Sequence, residues 1–130
     1  MKPVVRFFIL FCLSIPLCQA DNWQYDYQKY QLQVKDGFIS KTKPCASDAG
    51  ISPSLSLTSA RSISQSYLQR QFPKAAWELD AISIQFYSSE LPAGICTYKV
   101  SYTDKNIAKG GNKMHVIVNM RGELFQPQKI

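Results

Sequence analysis

Two cysteines, Cys45 and Cys96, constrain what this chain can fold into more than any other pair of residues. Cys45 sits in a stretch rich in Ser, Pro, Ala and Gly, and Cys96 heads the alternating run Cys96, Tyr98, Val100, Tyr102. A bond between them closes a loop of about 52 residues, worth about 4 kcal/mol on chain-entropy arguments. It also pins the irregular segment over the apolar face of a strand, or over its edge. Whether such a bond forms depends on the compartment, and the start of the chain speaks to that.

Lys2 and Arg6 precede the apolar run Phe7-Phe8-Ile9-Leu10-Phe11-Cys12-Leu13, then Pro16, then Cys18-Gln19-Ala20. A basic start, a short apolar core, a helix breaker and small residues three apart are the parts of a secretory signal peptide. The run is too short for a membrane span, which takes about 20 apolar residues. Bulky Leu17 before Cys18 disfavours a lipoprotein site, where a small residue is wanted. Cleavage near Ala20 is therefore expected, with a periplasmic or secreted mature chain starting at Asp21. That removes Cys12 and Cys18 and leaves Cys45 and Cys96 to pair in an oxidising compartment. It also removes Lys2 and Arg6, taking 15 basic residues to 13 against 9 acidic, a net charge of +4.

Beyond the leader, the pattern predicts one α+β domain over residues 21–130, with 21–58 as hairpin and loop and 59–130 as helix plus three strands. Tyr30, Leu32 and Val34 alternate with Gln31, Gln33 and Lys35, the signature of a half-buried strand. Asp36-Gly37 suits a tight turn, with Phe38-Ile39-Ser40 returning. Residues 43–58 lack periodicity and read as a loop. Thr58 or Ser59 is suited to cap a helix running to about Phe72, with Ala60, Ile63, Tyr67, Leu68 and Phe72 on one face. Pro73 ends it, lacking an N–H and clashing with the preceding turn. Trp77 and Leu79 share one strand parity and Ile82, Ile84 and Phe86 the other, which predicts a bulge near Asp80-Ala81. After a turn at Leu91-Pro92-Ala93-Gly94 come the Cys96 to Tyr102 strand and a polar connection holding Gly110-Gly111. The strand Met114, Val116, Val118, Met120 follows. Arg121-Gly122-Glu123 then turns the chain into a short Leu124-Phe125 extension. The result is one amphipathic helix packed on an antiparallel sheet, with an N-terminal hairpin and one disulfide, the other sheet face staying partly wet.

Within this pattern stand Tyr67-Leu68-Gln69-Arg70-Gln71-Phe72-Pro73-Lys74-Ala75 with Trp77-Glu78-Leu79, then Cys96-Thr97-Tyr98-Lys99-Val100-Ser101-Tyr102, then Val116-Ile117-Val118-Asn119-Met120-Arg121-Gly122-Glu123-Leu124. In these stretches residues 63–125 resemble the PepSY-like group of small α-β-β-β modules of bacterial envelope and secreted proteins. The resemblance covers about half the mature chain and rests on structural punctuation: a Phe-Pro-small break, a Tyr-x-Val strand and a polar-x-Gly turn. Residues 21–58 lie outside it, and Met120-Arg121 stand where such modules often keep Asp or Asn. It implies a non-catalytic binding or inhibitory module and transfers no catalytic residues. A cystatin-like arrangement, one helix cradled by an antiparallel sheet, is the neighbouring alternative and implies the same kind of task.

The residues themselves point away from catalysis. His115 is the only histidine, so a multi-histidine metal site is impossible, and no motif hands it a nucleophile. Glu78 and Asp80 share strand parity, as solvated strand faces commonly do, and are a weak candidate for a carboxylate dyad. No CxxC, GxSxG or phosphate-binding glycine loop occurs. No enzyme activity, metal or cofactor is expected. The candidate binding residues are the aromatics Trp23, Tyr25 and Tyr27 and the lysines Lys105, Lys109 and Lys113 around Gly110-Gly111. The expected partner is another protein, in an inhibitor or immunity-type role. The alternative is an anionic lipid or glycan surface, or a small ligand, met by the basic half. Nucleic acid is disfavoured by secretion and by the lack of a binding motif.

Overall fold

The computed structural model describes residues 20–34, 45–47, 50–87, 95–108 and 110–130. In chain order they form β1 (Ala20–Tyr25), β2 (Gln28–Gln33), β3 (Ala46–Ser47), β4 (Gly50–Ile51), helix α1 (Leu57–Gln71), β5 (Trp77–Tyr87), β6 (Ile95–Asp104), β7 (Lys113–Asn119), β8 (Leu124–Phe125) and β9 (Gln128–Lys129). The fold is α+β, as the periodicities predict. An antiparallel sheet of order β5-β6-β7-β8 carries the helix, a second of order β1-β2-β9 holds the N-terminal hairpin, and β3 and β4 form a small ribbon. Among the described residues no helix is long and apolar enough to cross a membrane.

Helix α1 starts two to three residues earlier than expected. Ser56, not Thr58 or Ser59, is the N-cap: its backbone is extended, and its Oγ accepts a hydrogen bond of 3.1 Å from the Ser59 N–H. Several hydroxyl residues in a row can cap, and the one with extended backbone directly before the first turn does so. Phe72 N–H closes the helix on the Leu68 carbonyl at 2.8 Å, and Pro73 offers no donor to continue it. The buried stripe is Ala60, Ser64 and Leu68. Ser64 fits there because its hydroxyl meets Tyr102 Oη at 2.7 Å and donates to the Arg61 carbonyl at 3.0 Å.

The stripe rests on one face of the four-stranded sheet, where Tyr98, Val100 and Tyr102 of β6 meet Met114, Val116 and Val118 of β7 in a dry core. Cys96 shares that face and is bonded to Cys45, with Cα atoms 6.0 Å apart. The predicted bulge occurs: the β5–β6 register shifts between Leu79 and Ala81, leaving Asp80 as the extra residue. Ile117 and Phe125, and Val118 and Leu124, pair β7 with β8. The intervening turn is held by Asn119, whose Oδ1 accepts from the Arg121 and Glu123 N–H groups at 3.0 and 2.9 Å. Gly122 takes φ +84° there, a conformation glycine adopts without a Cβ penalty.

The opposite face is less wet than expected. Leu32 and Val34 pack with Ile95 and Ile117 in a second small core, with Trp23 and Phe125 against it. The N-terminal hairpin supplies this cover. It turns at Asp26 and Tyr27, whose φ values of 48° and 67° give the doubly left-handed turn that suits twisted strands. The ladder runs from Ala20 opposite Gln33 to Tyr25 opposite Gln28. The expected return strand after Asp36-Gly37 and the turn at Leu91-Pro92-Ala93-Gly94 lie outside the described residues. Two further elements carried no periodic signal: the β3–β4 ribbon inside the expected loop, and β9, which pairs Tyr30 with Lys129 and Gln31 with Gln128. Two-residue strands are too short to show alternation.

Candidate functional site

The aromatic cluster at the N-terminus is dispersed by its own turn. Tyr25 is buried, Trp23 is half-buried and Tyr27, at the turn apex, is 92% exposed. Trp23 stacks on Tyr30 with ring centroids 6.1 Å apart and meets His115 edge-on at 4.8 Å. Tyr25 lies 5.2 Å from Phe72 and 5.3 Å from Trp77, which reaches Tyr102 at 6.4 Å. Trp23 and Tyr25 therefore join an internal aromatic chain that ties the hairpin to the helix end, and Tyr27 points elsewhere.

Tyr25 also anchors a buried polar group with three side-chain hydrogen bonds. Its Oη donates to Asp104 Oδ2 at 2.7 Å, while Asp104 Oδ1 accepts from the Ala76 and Asn106 N–H groups, both at 3.0 Å. Burial pushes the Asp104 carboxyl up, and these three hydrogen bonds overcome it, so the group lies below the usual carboxylate range. The Tyr25 phenol is raised well above its ordinary value by burial first and then by the adjacent carboxylate. Asn106 Nδ2 adds a bond to the Lys74 carbonyl at 2.9 Å. The knot fastens β6, the hairpin and the segment after α1 together. No sequence motif announces it, since Tyr25 and Asp104 are 79 positions apart.

The three lysines do not share one surface. Lys113 Nζ lies 3.1 Å from Asp80 Oδ2 and also bonds Thr103 Oγ1. Thr103 and Lys113 are ladder partners, so both stand on the sheet face away from α1. Lys105 instead lines a groove on the helix side, and Lys109 lies outside the described residues. Asp80 accepts from Thr103 Oγ1 at 2.6 Å as well. Burial, the largest single influence, raises its carboxyl, but Thr103, Lys113 and His115 together lower it below the ordinary value. A general acid needs the opposite shift.

His115 Nδ1 and Ser101 Oγ are 2.8 Å apart, a contact that sequence spacing did not reveal because it crosses two strands. Ser101 sits in mid-strand, with Ala81 on one side and His115 on the other. A serine nucleophile works beside backbone N–H groups free to stabilise an oxyanion, and a residue paired on both flanks is poorly placed for that. Among the described residues no group of three or more His, Cys, Asp or Glu side chains is arranged to hold a metal ion.

What remains is an edge. Of the described strands only β6 pairs with β5, so the other side of this eleven-residue strand carries no described neighbour. Leu79, Ile82, Ile84 and Phe86 oppose Tyr102, Val100, Tyr98 and Cys96 and so share the helix-side face. Leu79, Ile82 and Ile84 are half-buried and Phe86 is 49% exposed. At the start of the strand, Arg61 and Gln65 of α1, Trp77, Leu79, Tyr102 and Lys105 border an open groove of about 470 Å³. A second groove of about 440 Å³ lies between Phe72, Pro73, Ile107 and the Asp104 knot. No family model, curated protein or solved structure matches this chain.

Proposed function

We propose that this chain is a secreted or periplasmic, non-catalytic protein-binding module of inhibitor or immunity type. The observation that carries the reading is the long outer edge of β5, with an apolar shelf along one side and a groove at its head. An unpaired strand edge is a ready acceptor for another chain. The leader-like first twenty residues and the Cys45–Cys96 bond support an oxidising compartment. The helix followed by antiparallel strands supports the PepSY-like resemblance as a proposal about ancestry. The divergence of Lys105 and Lys113 makes an anionic lipid or glycan surface the weaker reading. Crosslinking mass spectrometry on the natively secreted protein tests the function. One dominant protein partner is the expected result, and repeated recovery of no specific protein would contradict it.

A further inference from the structure

Natural edge strands are blunted by lysines, prolines, bulges or shortness. In β5 the bulge at Asp80 interrupts only the beginning, and Ala81 to Tyr87 runs on without a lysine or a proline. A strand added along this stretch would carry alternate side chains to the helix side, over Ile82, Ile84 and Phe86. Continued past the bulge, it would enter the groove flanked by Arg61 and Lys105, both exposed. Glu78 also borders this groove, but its ladder partner Thr103 puts its side chain on the other sheet face. The charge facing the groove on the helix side is therefore positive.

We infer that the outer edge of β5 takes up an extended segment of a partner protein by antiparallel strand addition, apolar at alternate positions and acidic towards its C-terminal end. The antiparallel sense follows the sheet, and it brings the segment's C-terminal end to the head of β5. A second copy of this chain fits less well. The charges of β5 are Glu78 and Asp80, and neither would reach Arg61 and Lys105 of a partner copy, because Glu78 faces away and Asp80 is held by Lys113 and Thr103. The inference rests on the protein-binding reading and narrows it to one surface and one ligand chemistry.

The test uses the intact secreted chain and synthetic peptides of about eight residues, within the range of natural strand lengths. One alternates Val and Thr and ends in two Glu, a second ends in two Lys, and a third is the first with alternate amides N-methylated. The Glu-ended peptide should bind and quench Trp77 fluorescence. Binding should fall at least tenfold for the others and for Arg61→Glu with Lys105→Glu, both exposed sites that leave the fold intact. Equal binding of the Lys-ended or N-methylated peptide, no binding at all, or sedimentation of the chain as an edge-paired dimer would overturn it. A crosslinked partner mapped to another face would sink this inference alone; the absence of any partner would sink the protein-binding reading with it.

Discussion

The two edges of the four-stranded sheet are finished in different ways. At the β7 side, two-residue β8 pairs with Ile117 and Val118, and the Tyr25–Asn112 bridge brings the hairpin against the start of the same strand. Leu32, Val34 and Ile95 then bury Ile117. At the β5 side, eleven residues end in no described partner, and Leu79, Ile82 and Ile84 are only half-covered. One edge is closed by local turns and a distant hairpin, whereas the other has no described strand beside it. On the proposed reading, the longer edge, which has no described partner, is the interaction surface.

The contrast can be broken most severely through the disulfide, which anchors the loop on the core side. Cys45→Ala with Cys96→Ala should lower unfolding stability by about 4 kcal/mol, read as a lower urea midpoint. An unchanged midpoint would mean that packing alone holds residues 45–55. Next, Ile117→Ala on the closed side should cost about 3 kcal/mol by leaving a cavity. Ile84→Ala on the open side should cost about 1 kcal/mol, since it is only half-covered. Equal losses would show that the β5 edge is buried after all.

The Asp104 knot, where the hairpin and the segment after α1 meet β6, has a pH signature of its own. Its folded pKa is depressed, so its stabilising contribution is present above the unfolded value of about 3.9 and is lost as pH falls through the folded one. Asp104→Asn should remove about 2 kcal/mol at pH 7, the scale of charge-assisted hydrogen bonds. The variant's stability should also fall less steeply than the parent's between about pH 5 and pH 2. The smallest effect is expected at the open edge, where Phe86→Ser should move stability by less than about 0.5 kcal/mol and still weaken peptide binding.

Where alternation was long and one face dry, the fold was legible from the residues. Cys96 to Tyr102, Met114 to Met120 and the Asp80 bulge lie where the parity of the side chains puts them. The start of the helix was legible only to within two or three residues, because several hydroxyl residues competed for its cap. The hairpin turn at Asp26-Tyr27 was not, since two non-glycine residues at positive φ carry no sequence mark as clear as Asp36-Gly37. The candidate site was legible only in its parts. Lys105 was singled out and does border the groove, but Arg61, Trp77 and Leu79 join it only through packing. Tyr25 was singled out as a candidate binding aromatic, and its burial was not legible because its partner Asp104 is remote in sequence.

Residue-resolved hydrogen exchange on the free protein tests the central claim directly. With an open edge, alternate amides between Ala81 and Phe86 exchange fast, while amides of β6, paired on both sides, stay protected to near the global unfolding limit. Uniform slow exchange along β5 would mean that another part of the chain already covers this edge, and the binding surface would have to be sought elsewhere.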